Sequence, residues 1–324
     1  MSYAIRIHST GGPEVLTWEK YDPGKPGPGE VRLIHDAIGL NYIDVYHRSG
    51  LYPLPLPAIP GMEGAGTIEE VGEGITEFRQ GDRVAYAGLP PGAYAEVRNI
   101  PAHRLVKLPR EISSQQGAAM MLQGMTARYL LKGCYQVKAG STILIHAAAG
   151  GVGSIVCQWA SHLGATVIGT VGSGEKAKAA KENGCTHTIL YREEDFVGRV
   201  KDYTGGRGVD VVYDSIGRTT FFRSLDCLRP MGMMVTFGQS SGPIGPIDTS
   251  LLAQKGSLFL TRPSLMTYTA EREALLAHAR DLFEVVASGA VKIRIMQEYR
   301  LRDAAQAHRD LEERSTRGSS ILVP

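Results

Sequence analysis

No two of the four cysteines in the 324-residue chain stand close enough for a Cys-x-x-Cys pair. Cys134, Cys157, Cys185 and Cys227 therefore suggest neither a zinc ribbon nor a redox dithiol, and buried reduced thiols are expected of them. No uninterrupted apolar run approaches the roughly 18 residues of a membrane-spanning helix. The opening MSYAIRIHSTGG has no hydrophobic signal core and no small-residue cleavage site. A soluble, cytoplasmic protein is the expectation. Charge of one sign is also not in excess, with 35 basic against 33 acidic residues and a net charge of +2. Such a balance exerts no global pull on nucleic acid or anionic membrane. With no basic stripe and no aromatic RNA platform, nucleic acid is not expected as a partner. Low-complexity tracts and repeats are absent, and the composition, 43% hydrophobic and 21% charged, excludes bulk disorder.

What the chain has is length for two domains, at roughly 150 residues each, and 39 glycines, so many backbone positions turn tightly or approach something closely. The first 110 residues are turns and short apolar runs. YDPGKPGPGE (21–30) and LYPLPLPAIPG (51–61) cannot be regular structure, because proline removes donors and restricts its neighbours. Strands are predicted at 31–38, 66–71, 83–87 and 93–97, the spacing of a small barrel-like β unit. Residues 112–131 permit helix. From residue 141 strands and helices alternate: strands at 142–146, 166–171, 188–191, 209–213 and 233–237, helices at 152–163 and 175–183. That alternation argues for a parallel sheet covered on both faces. A last strand at 257–261 precedes helices at 270–288 and 302–314.

The sharpest local feature is ILIHAAAGGVGSIVCQWA, residues 143–160. A strand runs into Ala148-x-Gly150-x-x-Gly153 and a helix follows at once. In this dinucleotide-binding pattern Gly150 lets backbone approach a pyrophosphate, and Gly153 lets the helix pack on the strand. Ala148, Gly150, Gly151, Val152 and Gly153 form the candidate cradle, with the positive helix end aimed at the anion. NAD sites usually carry an acid at the tip of the second strand to hold the ribose 2′-hydroxyl. Here that strand runs out in Gly172-Ser173-Gly174, with no carboxylate at the tip. Ser173 and Lys176 suit a 2′-phosphate instead, so NADPH is the expected cofactor.

These pieces occur in a familiar order: GGPEVL (11–16), Asn41-Tyr42-Ile43-Asp44, PGMEGAGTIEEVG (60–72), GDRVAY (81–86), HAAAGGVG (146–153), VVYDSIG (211–217), KGSLFLTRPSL (255–265) and GSSILVP (318–324). From end to end the chain resembles the medium-chain dehydrogenase/reductase superfamily, and within it the quinone oxidoreductases related to zeta-crystallin. The resemblance implies an α/β protein: a Rossmann doubly wound parallel sheet plus a GroES-like β-rich catalytic domain, with the active site in the cleft between them. The expected division is 1–124 and 264–324 for the catalytic domain and 125–263 for the Rossmann domain. Zinc-dependent alcohol dehydrogenases of the superfamily hold their metal with Cys, His and Cys. The matching positions here carry Asn41, Met62 and Gln123, a poor zinc donor set. A metal-free enzyme is therefore expected, and with it an acceptor that needs no Lewis acid, such as a quinone or an electron-poor enone or alkenal. A crystallin-like binding protein is the remaining alternative.

The resemblance also assigns expected roles. Asn41, Tyr46, Tyr52 and Gln123 are the catalytic candidates, with Asn41 close to the nicotinamide and able to donate to a substrate oxygen. Thr126 is expected at the nicotinamide or pyrophosphate. Gly172, Ser173, Lys176, Tyr191 and Arg314 are expected at the adenosine end. Ser215, Gly217, Phe237, Gly238 and Ser240 lie at carboxyl ends of strands, where they would hold the nicotinamide ribose and carboxamide. Arg262 is a candidate for the pocket or a subunit edge. A homodimer is expected through the edge strand at 257–261.

Overall fold

The computed structural model describes residues 2–324. The chain divides into two units: residues up to Met125 with Tyr268–Ala287 and Ile293–Pro324, and Thr126–Thr267 with Ser288–Lys292. In the first unit β1 (Ser2–Arg6) pairs antiparallel with β2 (Thr17–Tyr21). Then come β3 (Glu30–Leu40), α1 (Tyr42–Ser49), β4 (Glu63–Val71), β5 (Arg83–Ala87), β6 (Val97–Pro101) and β7 (Val106–Lys107). The strand expected at 93–97 begins only at Val97, because Pro90, Pro91 and a left-handed Gly92 (φ +129°) turn the chain before it, and Ala95 makes only an isolated bridge to Ala4. The helix expected over 112–131 is also interrupted, into α2 (Ser114–Ala118) and α3 (Met121–Arg128). The cause is a side chain. The Leu122 N–H, which a continuous helix would donate to the Ala118 carbonyl, donates to Glu63 Oε1 at 2.7 Å.

The second unit is a six-stranded parallel sheet: β8 (Thr142–Ile145), β9 (Thr166–Val171), β10 (His187–Leu190), β11 (Val209–Asp214), β12 (Leu228–Thr236) and β13 (Phe259–Thr261). Their order is β10-β9-β8-β11-β12-β13. The order reverses at β8, the arrangement that opens a ligand crevice at the carboxyl ends of the central strands. β11 is buried along its whole length, as a strand covered on both faces must be. The connecting helices are α4 (Gly151–His162), α5 (Gly174–Glu182), α6 (Phe196–Tyr203), α7 (Phe221–Leu225) and α8 (Ser250–Gln254). β13 starts two residues later than expected, because Ser257 is left-handed (φ +57°) and Gly256 turns the chain.

After α9 (Leu265–Tyr268) the chain runs through α10 (Arg272–Ala287), β14 (Ile295–Arg300), α11 (Ala304–Glu312) and β15 (Ser319–Val323). β15 pairs antiparallel with β3 and parallel with β14, which completes the sheet β14-β15-β3-β4-β5-β7, with β6 also on β3. Neither β14 nor β15 is expected from the sequence pattern. The expectation that residues 264–324 serve one domain needs correction as well. Ser288–Lys292 belongs to the second unit, where the Lys292 N–H donates to Gln158 Oε1 at 2.8 Å and Gln158 Nε2 donates to the Lys292 carbonyl.

The β3–β4 pairing depends on bare glycines. A Cβ on Gly66 would lie 1.9 Å from the Ile34 carbonyl oxygen, which is backbone and cannot yield. Gly66→Ala is expected to cost about 1–3 kcal/mol. Gly174→Ala, at the first turn of α5 with nothing within 4 Å, should be neutral or slightly stabilising. Urea unfolding of the two variants checks the contrast.

Candidate active site

Two constellations carry chemistry, one in each unit. In the first unit, register sets the geometry. Ile38 stands opposite Gly64 on β4, and Leu40 opposite Ser320 on β15. The end of β3 is thereby flanked by Glu63 on one side and Ser319 on the other. Gly39 must be glycine, because its Cβ would fall 2.2 Å from Glu63 Oε2 and 2.3 Å from the Ala118 carbonyl oxygen. In the space left, buried polar groups form a continuous chain. Glu63 Oε1 accepts from the Leu122 N–H, and Glu63 Oε2 accepts from Asn41 Nδ2 at 2.6 Å. Asn41 Oδ1 accepts from Gln123 Nε2 at 3.1 Å, and Gln123 Oε1 accepts from the Ser319 hydroxyl at 2.8 Å. The amino end of α3 directs backbone N–H groups that lack a helical acceptor at the Glu63 carboxyl, a favourable setting for negative charge.

Asn41 is the N-cap of α1, and its backbone N–H donates to Asp44 Oδ2 at 2.9 Å. Asp44 is fully buried and also accepts from the Tyr94 hydroxyl, which lies 3.0 Å from His308 Nε2. Behind it Arg48, itself buried, makes a bidentate pair with Glu312 at 2.8 and 2.9 Å. Burial pushes the Asp44 carboxyl up to about 7 and Glu63 up to about 8, against the hydrogen bonds that favour their ions. Burial holds His308 down to about 3, aided by Arg48, and His35 likewise to about 3, aided by Arg98. Tyr46 and Tyr52 meet edge to face with ring centroids 5.1 Å apart, and Tyr42 packs on Tyr46 at 5.3 Å. The four catalytic candidates thus share one unit, and Asn41 and Gln123 touch directly.

Glu63, Asp44 and Ser319 join this buried network although the sequence analysis names none of them as a site residue. Signals existed: an acid in the otherwise apolar GMEGAG run, and an Asp three residues after Asn41 in capping-box spacing. As zinc donors these residues fail on chemistry. Asn41 and Gln123 are amides already engaged with each other, and Met62 offers only a thioether.

In the second unit, β8 ends in a tight turn. Ala147 is left-handed (φ +55°), and Gly150 N–H donates back to the Ala147 carbonyl at 2.9 Å. A Cβ on Gly153 would lie 2.3 Å from that same carbonyl oxygen, and one on Gly150 at 3.2 Å. Ser154 N–H to Gly150 C=O is the first helical bond of α4. The amides of Gly151, Val152 and Gly153 precede it and so have no acceptor within the helix. Bare glycines and free N–H groups at a helix start fit a pyrophosphate. At the tip of β9, a Cβ on Gly172 would stand 3.2 Å from the Tyr191 hydroxyl, so Gly172 and Tyr191 are neighbours. Ser173 caps α5 and accepts from the Lys176 N–H at 3.4 Å.

The loops after β11 and β12 are joined. Ser240 N–H donates to the Ser215 carbonyl at 3.1 Å, Phe237 N–H to Asp214, and Asp214 Oδ1 accepts the amides of Ile216 and Gly217. Arg262 braces that loop through Thr236 Oγ1 and the Gly238 carbonyl. Thr126 lies buried in α3 and within the second unit. Arg314, by contrast, belongs to the first unit, in the turn after α11 with φ +60°.

Residues 27–110 match the family described as alcohol dehydrogenase GroES-like domain, and 151–279 that described as zinc-binding dehydrogenase. The chain is 49% identical to Quinone oxidoreductase 1 of Escherichia coli (strain K12) over 100% of both chains. It is 47% identical to a 2-haloacrylate reductase of Burkholderia sp over 100% of this chain and 99% of that one. The crystal structure of Escherichia coli quinone oxidoreductase complexed with NADPH matches with a TM-score of 0.98 at 49% identity, covering 99% of this chain and 100% of that one.

The buried titrating groups give a pH signature. Below about 6.5 the unfolded chain takes up protons that His35 and His308 refuse when folded. Above about 4 the unfolded chain releases protons that folded Asp44 and Glu63 keep, to about 7 and 8. The two effects oppose each other between those limits. Past about 6.5 only the carboxyls act, so their contribution to stability is lost as pH rises through about 8. The urea midpoint is expected to fall between about pH 6 and 9, and Glu63→Gln to flatten part of that fall. An equally steep fall in the variant would count against a buried, protonated Glu63.

Proposed function

The chain belongs to the quinone oxidoreductase family of the medium-chain dehydrogenase/reductase superfamily, and on that premise we propose that it reduces quinones with NADPH and without a metal. The observation that carries the reading is the glycine cradle at β8 beside an acid-free tip of β9. The free amides of Gly151, Val152 and Gly153 would hold the pyrophosphate, with Ala148 and Gly150 leaving room for it. Ser173, Lys176 and Tyr191, around Gly172, would hold the 2′-phosphate. No carboxylate at the β9 tip repels that group. Ser215, Phe237, Ser240 and Thr126 would line the nicotinamide end. Arg314 is proposed for the adenosine end on the family resemblance alone.

When bound, NADPH supplies the hydride that, with one proton, converts a quinone to its hydroquinone. The chain orients the acceptor and meets its developing charge. Asn41 and Gln123 each retain a second amide N–H for a carbonyl oxygen. Tyr46 and Tyr52, packed edge to face, would offer aromatic surface to a quinone ring. A second reading, reduction of an activated double bond, is favoured by the relative named a 2-haloacrylate reductase. It uses the same cofactor and the same donors.

The edge strand β13, with Phe259 58% exposed, supports a homodimer joined at the second unit's sheet. Sedimentation at micromolar concentration tests it, and a monomer there would reject it. No helix among the described residues is long and apolar enough to cross a membrane. With Cys157 and Cys185 as free thiols that share a hydrogen bond, sulfurs 3.5 Å apart, a reducing cytoplasm is the proposed location.

Fluorescence titration should show NADPH binding more tightly than NADH. Lys176→Ala should weaken NADPH about tenfold or more and NADH by less than about twofold, the loss of one charged hydrogen bond. Equal losses would remove its phosphate role. Turnover of a p-quinone against a 2-alkenal, both with NADPH, separates the two readings.

A further inference from the structure

The hydrogen-bond chain Leu122–Glu63–Asn41–Gln123–Ser319 has a direction. Its first group, a backbone N–H at the start of α3, can only donate. Glu63 Oε1 must therefore accept, and Glu63 Oε2 accepts from Asn41 Nδ2. That turns Asn41 Oδ1 toward Gln123 Nε2, and Gln123 Oε1 toward the Ser319 hydroxyl. Every oxygen of the two amides is then engaged inside the protein. What remains on each is a second N–H. We propose that Glu63 is a positioning residue, whose buried carboxylate fixes the polarity of Asn41 and Gln123 so that both present N–H donors to the acceptor oxygen of the substrate. The substrate part rests on the reading above; the polarity itself does not.

The placement is specific. Gly39 is bare so that Glu63 fits, α3 starts afresh at Met121 so that the Leu122 N–H meets it, and no lysine or arginine neutralises it. A buried carboxyl without a cation is costly. For volume alone a Gln or Met would serve with less penalty. Only a carboxylate offers acceptors at both oxygens.

Glu63→Gln keeps the volume and removes one acceptor. Its carbonyl would still take the Leu122 N–H, and its NH2 would face Asn41. Asn41 and then Gln123 must reverse, presenting carbonyl oxygens where they presented donors. Protonation of Glu63 has the same effect in the parent chain. The titratable and charged groups that face this site are Asp44 from α1 and Tyr86 from β5, with His35 and Arg98 bonded behind Tyr86.

The test has two independent readouts. In the chain without cofactor, 15N-resolved side-chain amide signals report polarity. Glu63→Gln should move both Asn41 and Gln123, whereas Ser319→Ala should move Gln123 alone, since a hydroxyl can donate or accept. Lowering pH should move both amides in the parent chain; in Glu63→Gln the Gln123 amide should stay, with only Asn41 answering Asp44, which accepts from its backbone N–H. An unmoved Gln123 in Glu63→Gln would overturn the relay. In turnover of a p-quinone, kcat of the parent should rise as Glu63 ionises. Glu63→Gln should lose the rise centred near about 8 and be at least about tenfold lower at the alkaline end, with KM for NADPH within about twofold. The double variant Glu63→Gln/Asn41→Asp restores every hydrogen bond by exchanging the partners. Its urea midpoint should return while kcat stays low; recovery of kcat together with stability would show that Glu63 only holds the fold. A parent chain inactive toward quinones would remove the functional reading and leave the amide signals to decide the polarity.

Discussion

A carboxyl group has been put where water cannot reach it and no cation answers it, and much of the first unit is arranged around that fact. Glu63 obtains its compensation from hydrogen bonds alone, the Leu122 N–H on one oxygen and the Asn41 amide on the other. Leaving either acceptor unmade would cost far more than a satisfied hydrogen bond gains. The break between α2 and α3, the bare Gly39 and the N-cap position of Asn41 all follow from satisfying it. The C-terminal β15 enters for the same reason. It brings Ser319 to close the far end of the chain of bonds, so the last residues of the sequence complete a site begun at residue 41.

The second unit applies the complementary device. There the unsatisfied groups are donors, the first amides of α4, and they are left so by a turn that only small residues can make. One unit buries a carboxyl group against donors, and the other presents donors to an anion yet to arrive. Both depend on side chains that are missing: Gly39 beside Glu63, and Gly153 against the Ala147 carbonyl.

The second unit was largely legible in the sequence because its signals are local. A strand, a glycine turn and a helix follow one another within twenty residues from Thr142, and each strand is apolar enough to read alone. The tip of β9 could be inspected directly for an acid. The first unit was legible only in part. Asn41 and Gln123 are distinguishable as amides where metal ligands stand in zinc-dependent relatives, yet nothing local says that they touch, since 82 positions separate them. β15 escaped notice because its pairing partner β3 lies some 280 positions earlier in the chain, and β14 is held in the sheet only through β15. The interruption of the helix at residue 120 was illegible for the same reason. It is imposed by an acid 59 positions away, and local propensity contains no trace of it.

The first unit's setting lets an amide pair stand where zinc-dependent relatives use a metal. A Lewis acid concentrates positive charge at one point and takes its own ligands with it. Two N–H groups offer less, and in water they would offer almost nothing, because each would turn to the solvent. Fixed in a buried chain of bonds, they cannot turn, and an orientation set before the substrate arrives need not be reached during the reaction. Such donors suit an oxygen whose incoming charge is already spread over a conjugated system. On the roles proposed for them, the polarity of Asn41 and Gln123 and the choice of a quinone or activated alkene are one constraint seen from the protein and from the substrate.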